Sequence, residues 1–98
     1  MSDQEKDKRR TDVVSLHAEV LKELGKRIRA KRLECGETLQ VAFEIRAGYG
    51  VKIDPSSLSK IECGKTETTM RTLFAIAGFY GTSVSDLTEG MQVKRRGE

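Results

Sequence analysis

The sequence predicts an all-α fold, a compact bundle of about five short helices. Three observations lead there. Apolar residues recur at three- and four-residue steps through each long segment, the period of an amphipathic helix. Capping residues and glycines punctuate those segments as starts and stops. The single strand-like alternation, Val51-Lys52-Ile53, is too short to build a sheet and reads as an extended connector.

In chain order, residues 1–12 (MSDQEKDKRRTD) carry four basic and four acidic groups, so residues 1–11 are expected to form a flexible arm. A helical pattern starts at Asp12, a fitting cap, and runs through Val13, Leu16, His17, Val20, Leu21, Leu24 and Ile28 to a stop at Cys35-Gly36. Gly25 interrupts it at a cost of about 1 kcal/mol relative to Ala, which leaves a kink or a split into two helices open. A second helix is expected from Thr38 through Leu39, Ala42, Phe43 and Ile45 to Ala47-Gly48, with Gly48-Tyr49-Gly50 as a break.

The next stretch, Pro55 to Lys65, is the best punctuated. Asp54 can accept the orphan amides of a first turn, Pro55 suits the first helical position, and Gly64 can take the left-handed conformation that closes the helix. Leu58 and Ile61 share one face, while Ser56, Ser57, Ser59 and Lys60 make the other small and hydrogen-bonding. Thr68 or Thr69 then caps a helix with Met70, Leu73, Phe74, Ile76 and Ala77 as its apolar face, ending near Tyr80-Gly81. Ser83 caps a last short helix, Val84 to Leu87, stopped at Glu89-Gly90. The domain is therefore placed at residues 12–90, followed by a basic tail at 91–98.

Ninety-eight residues suit one domain with a modest, mostly aliphatic core. No apolar run approaches the roughly 20 residues needed to span a bilayer, and no secretory signal is visible, so a cytoplasmic protein is expected. Cys35 and Cys63 lack metal-ligand spacing and read as free thiols. His17, the only histidine, has no second ligand or nucleophile beside it and reads as an ordinary helix residue. No Ser/His/Asp arrangement, phosphate-cradling glycine loop or metal cluster is present, so neither enzyme activity nor a cofactor is expected. The net charge of +3 says little, but residues 22–32 hold six basic groups against Glu23 alone. Such a local cluster suits phosphate contact, or simply a solvated helix face.

The run Pro55-Ser56-Ser57-Leu58-Ser59-Lys60-Ile61-Glu62-Cys63-Gly64-Lys65 resembles the recognition helix and following turn of the phage-repressor-like, XRE/Cro-type helix-turn-helix family. Met70, Thr72-Leu73, Ile76-Ala77, Gly81, Val84 and Asp86-Leu87 resemble its last two helices, and Leu24 to Arg29 with Arg32 its first. The resemblance implies a lambda-repressor-like bundle whose recognition helix enters the major groove of double-stranded DNA. It places Ser56, Ser57 and Ser59 at or near the bases. Gln40, Lys52, Lys60, Lys65 and Arg32 become candidate phosphate contacts, and Glu62 a structural ion-pair partner of Arg32. Three departures accompany it. The turn between the two central helices is unusually long, by about four residues counted from Gly48 or about two counted from Gly50. Lys31 falls at an apolar position, with Leu33 offered in its place. Ala42 and Phe43 stand in swapped order.

Two functions follow as expectations. One is a sequence-specific transcriptional regulator of prokaryotic or phage type, binding as a homodimer because one helix buries too little surface for useful specificity. The other is a protein-interaction module, antitoxin- or antirepressor-like, that uses the scaffold to hold a protein partner. The extra apolar stripe at Val13, Leu16, Val20 and Leu21 either packs on the bundle or joins two copies.

Overall fold

The computed structural model describes residues 2–92, with side-chain surroundings from His17 onward. Five helices follow one another among these residues: α1 (Ser2–Glu34), α2 (Val41–Tyr49), α3 (Pro55–Glu62), α4 (Met70–Phe79) and α5 (Val84–Leu87). Helix α1 packs on α3 and α5, α2 on α3 and α4, and α4 on α5. The core between them is aliphatic, and Ile28, Ile45, Leu58, Ile76 and Leu87 are its largest fully buried side chains. Each such burial stabilises the fold by about 1.5–3 kcal/mol before entropy is counted.

Helix α1 neither stops nor splits at Gly25, and it starts at Ser2 rather than at Asp12. Residues 2–11 contain no Gly or Pro and are rich in Glu, Lys, Gln and Arg, which propagate a helix readily. The reason for Gly25 is tertiary. A Cβ there would stand 2.3 Å from the Glu62 carbonyl oxygen and 2.5 Å from that of Ile61, so only glycine lets α1 cross the C-terminal end of α3. Val20 and Leu21 are half-buried along a groove with Leu24 and Leu73. The side chains of Val13 and Leu16, and the tail from residue 93, lie outside the described residues.

Helix α2 is displaced from its expected limits. Thr38 Oγ1 accepts the Gln40 N–H at 3.3 Å and a tight turn carries the chain to Val41, where the helix begins. It continues through Gly48 and ends at Gly50, which takes φ +68° and donates its N–H to the Arg46 carbonyl at 2.9 Å. The Tyr49 ring lies against Gly78 of α4, where a Cβ would come within 3.1 Å of its hydroxyl. The extra turn length is thus the smaller of the two counts. Val51 and Ile53 are both buried, so the connector is pinned into the core and α3 enters from a fixed position.

Ala42 is fully buried and Phe43 is exposed, so the small residue does occupy the tight contact of α2. Leu33 does not replace the apolar group missing at Lys31: it is exposed, while Lys31 pairs with Glu34 at 3.7 Å. On α4, capped by Thr69, the buried set is Leu73, Ala75, Ile76 and Ala77. Met70 and Phe74, expected in the core, are 59% and 60% exposed because α4 turns its 73/76/77 face inward. Ser83 caps α5 by accepting the Asp86 N–H at 3.0 Å. Arg27 closes its other end, donating to the carbonyls of Leu87 at 3.2 Å and Glu89 at 2.7 Å.

Candidate nucleic-acid interface

Helix α3 has two faces. Leu58, Ile61 and Glu62 point into the bundle, at 0%, 6% and 7% exposure. Ser56, Lys60 and Cys63, at i, i+4 and i+7, form an exposed outward face, with Ser57 and Ser59 half-buried at its margins. No bulky apolar group stands on that face, so it can be pressed against a polar surface without leaving a void.

A reciprocal capping box sets the start of the helix. Asp54 Oδ1 accepts the Ser57 N–H at 2.8 Å, and Ser57 Oγ accepts the Asp54 N–H at 2.8 Å. Ser57 Oγ also lies 3.0 Å from both the carbonyl and Oδ1 of Asp54, to which it can donate. The Ser57 amide and then its hydroxyl hold the Asp54 carboxyl below its ordinary pKa. The three serines therefore separate. Ser56 carries a hydroxyl without a side-chain hydrogen bond among the described residues, Ser59 faces a cleft toward α1, and Ser57 is committed to the cap.

The far end is held by charge. Arg32 donates from Nε to Glu62 Oε2 at 2.8 Å and from Nη2 to Oε1 at 3.0 Å, and from Nη1 to the Glu37 carbonyl at 2.9 Å. Both side chains are almost wholly buried, which makes this a tertiary clamp between α1 and α3 rather than a surface pair. The bonds to Glu62 raise the Arg32 pKa against the opposing effect of burial. Arg32 is therefore occupied and offers little surface to a ligand. Tyr80 stands by the same pair: burial, followed by the Glu62 charge, pushes its phenol up to about 12.

The remaining predicted residues are exposed. Gln40 is exposed at the start of α2 and makes no side-chain capping bond. Lys60 and Lys65 are exposed along and just beyond α3. Lys52 is exposed and lines a shallow depression with Arg46, Ile53, Asp54 and Ser57 at the start of α3. Arg46 was not among the residues singled out from sequence. Its signal is its place in the last turn of α2, which becomes visible only once that helix is known to extend to Tyr49.

No described helix is long and apolar enough to cross a membrane. Among the described residues no group of His, Cys, Asp and Glu could hold a metal ion, and Cys35 and Cys63 are free and exposed. A search of curated proteins gives no match to this sequence. A family model described as helix-turn-helix matches residues 28–87, from the last two turns of α1 to the end of α5. The central helices, the clamp between Arg32 and Glu62 and the capped α3 all fall within that match, and the chain belongs to the helix-turn-helix family of XRE/Cro type.

Proposed function

We propose that the protein is a sequence-specific DNA-binding transcriptional regulator of prokaryotic or phage type, with α3 in the major groove. The observation that supports this best is the outward face of α3, where Ser56 and Lys60 stand exposed on a helix fixed at both ends. A hydroxyl can donate or accept at a base edge, and Lys60 can meet a base acceptor or a phosphate. Gln40, Lys52, Arg46 and Lys65 surround this face as candidate backbone contacts. Ser57 supports the helix start and Arg32 the helix end, so both act by aiming α3 rather than by touching DNA. Two copies related by a two-fold axis would read two half-sites about one helical turn apart.

Selection from a random duplex library tests this reading. An enriched, two-fold-symmetric site is expected, with affinity for it falling steeply as salt rises. The variant Lys60→Ala should weaken binding while leaving the fold intact. Affinity that stays flat between low and moderate salt would overturn the reading.

The competing role, a module that binds a protein partner, draws on Met70 and Phe74, which lie at i and i+4 on the exposed side of α4. Co-purification of a defined partner lost on Phe74→Ser, with no shift of duplex DNA, would favour that role.

A further inference from the structure

Six basic residues lie on α1 between Lys22 and Arg32, and they divide into two sets. Arg27, Lys31 and Arg32 each meet a carboxylate: Glu23 at 3.3 Å, Glu34 at 3.7 Å and Glu62 at 2.8 Å. Lys22, Lys26 and Arg29 are exposed, and among the described residues none of them has a carboxylate within salt-bridge distance. Their spacing of four and then three residues places them on one stripe of the helix. Glu23 and Glu34 of α1 and Glu62 of α3 therefore pair with one set of these cations and leave the other set without a carboxylate partner among the described residues.

That cationic side borders α3. Lys26 and Arg29 line a cleft of about 560 Å³ together with Ser59 and Cys63. Glu62 is the only carboxylate in the cleft lining, and Arg32 already holds it. Farther along, the Lys22 backbone lies over Gly64, 2.8 Å from where a Cβ would stand, so the stripe passes the end of α3 beside Lys65. At 1.5 Å per residue the stripe is about 10 Å long, and its long cationic side chains can reach neighbouring phosphates of one strand.

We infer that Lys22, Lys26 and Arg29 form a second DNA contact, a phosphate-backbone track alongside α3. The inference rests on the reading of α3 as the groove-binding helix. Lys22 precedes both the family-matched segment and the stretch that resembles the family's first helix, so the track extends beyond it. It supplies affinity without sequence preference, because phosphates carry no base information. A cationic stripe also suits an acidic protein surface, but Lys26 and Arg29 share one cleft with Ser59 of α3, which favours the nucleic acid.

The test compares the full chain with Lys22→Gln/Lys26→Gln/Arg29→Gln, which removes the charges while keeping polar, unbranched side chains and the helix propensity. Circular dichroism checks the fold, and fluorescence anisotropy on a random-sequence duplex reads affinity from about 50 to 200 mM KCl. The slope of log affinity against log salt should become shallower by about 2–3, roughly 0.9 for each lost phosphate contact. Lys31→Gln, which removes a paired cation, should leave the slope unchanged. Binding by the parent chain with the same slope in the triple variant would overturn the track and leave the α3 reading standing. Failure of the parent chain to bind duplex DNA at all would overturn both. An unchanged DNA slope with binding to poly-glutamate lost would assign the stripe to an acidic protein partner and also overturn the track.

Discussion

At its N-terminus α3 is fixed by its own neighbours in sequence, and at its C-terminus it is fixed by another helix. The first end closes through Asp54 and Ser57, three residues apart at the protein surface. The second closes through Gly25 and Arg32 of α1, which lie thirty or more positions upstream in sequence of the groups they meet. Local closure sets where the helix begins, while tertiary closure sets how it is aimed. The outward residues Ser56 and Lys60 depend on both.

The contrast ranks the perturbations. The largest effect is expected from Glu62→Ala, which leaves the Arg32 guanidinium buried without its partner at a cost of about 3–5 kcal/mol. Denaturant unfolding measures this loss. Replacing both partners, as Arg32→Met/Glu62→Leu, should recover much of it, because a packed apolar pair avoids the desolvation of two charges. Failure of the double variant to recover stability would show that shape, rather than the unpaired charge, dominates at that end. Next comes Gly25→Ala, whose new methyl collides with two backbone carbonyls that cannot rotate away. It should cost about 1–3 kcal/mol by overpacking and should re-aim α3, so DNA affinity should fall further than stability alone explains.

Smaller effects belong to the exposed end. Asp54→Ala removes the cap and should speed amide exchange in the first turn of α3 while the global unfolding midpoint moves less than for Glu62→Ala. The pH dependence has a definite sign. The folded Asp54 carboxyl lies below its ordinary value near 3.8, so its contribution is present above that pH and is lost as pH falls through the lower folded value. Tyr80, beside the buried pair, behaves in the opposite direction. Its phenol is raised from 10.0 to about 12, so its contribution holds below pH 10 and is lost between about pH 10 and 12. An ultraviolet titration should show one tyrosine ionising near 12, and that feature should shift downward in Glu62→Ala as the neighbouring negative charge is removed.

The same contrast explains what could be read from the chain. Asp54, Pro55, Thr69 and Ser83 act on groups a few residues away, so their roles are visible as local signals, whereas Gly64 both closes α3 at φ +69° and admits the Lys22 backbone, which only the fold reveals. Gly25 looked like a helix interruption because nothing nearby in sequence reveals that α3 passes across it. Gly48 likewise looked like part of a break, yet α2 continues through it and stops only at Gly50. Met70 and Phe74 fit the apolar period of α4, but the period alone leaves open which side of a short helix turns inward. Within the candidate site, residue types pointed to three equivalent serines. Only the coordinates separate Ser57, drawn into the cap, from Ser56 on the open face. The Arg32–Glu62 pair follows from the family resemblance, and Glu23 and Glu34 stand within one turn of Arg27 and Lys31; only the fold shows that Lys26 and Arg29 share a cleft with Ser59.

The outward face of α3, held by these two closures, is the surface proposed to meet duplex DNA. A nitrogen–proton shift map of the full chain, titrated with its selected duplex, tests it most directly. The largest shifts are expected at Ser56, Ser59, Lys60 and Cys63, with smaller ones at Gln40 and Lys52. Shifts concentrated instead on the exposed side of α4 at Met70 and Phe74, with the α3 amides unmoved, would contradict it.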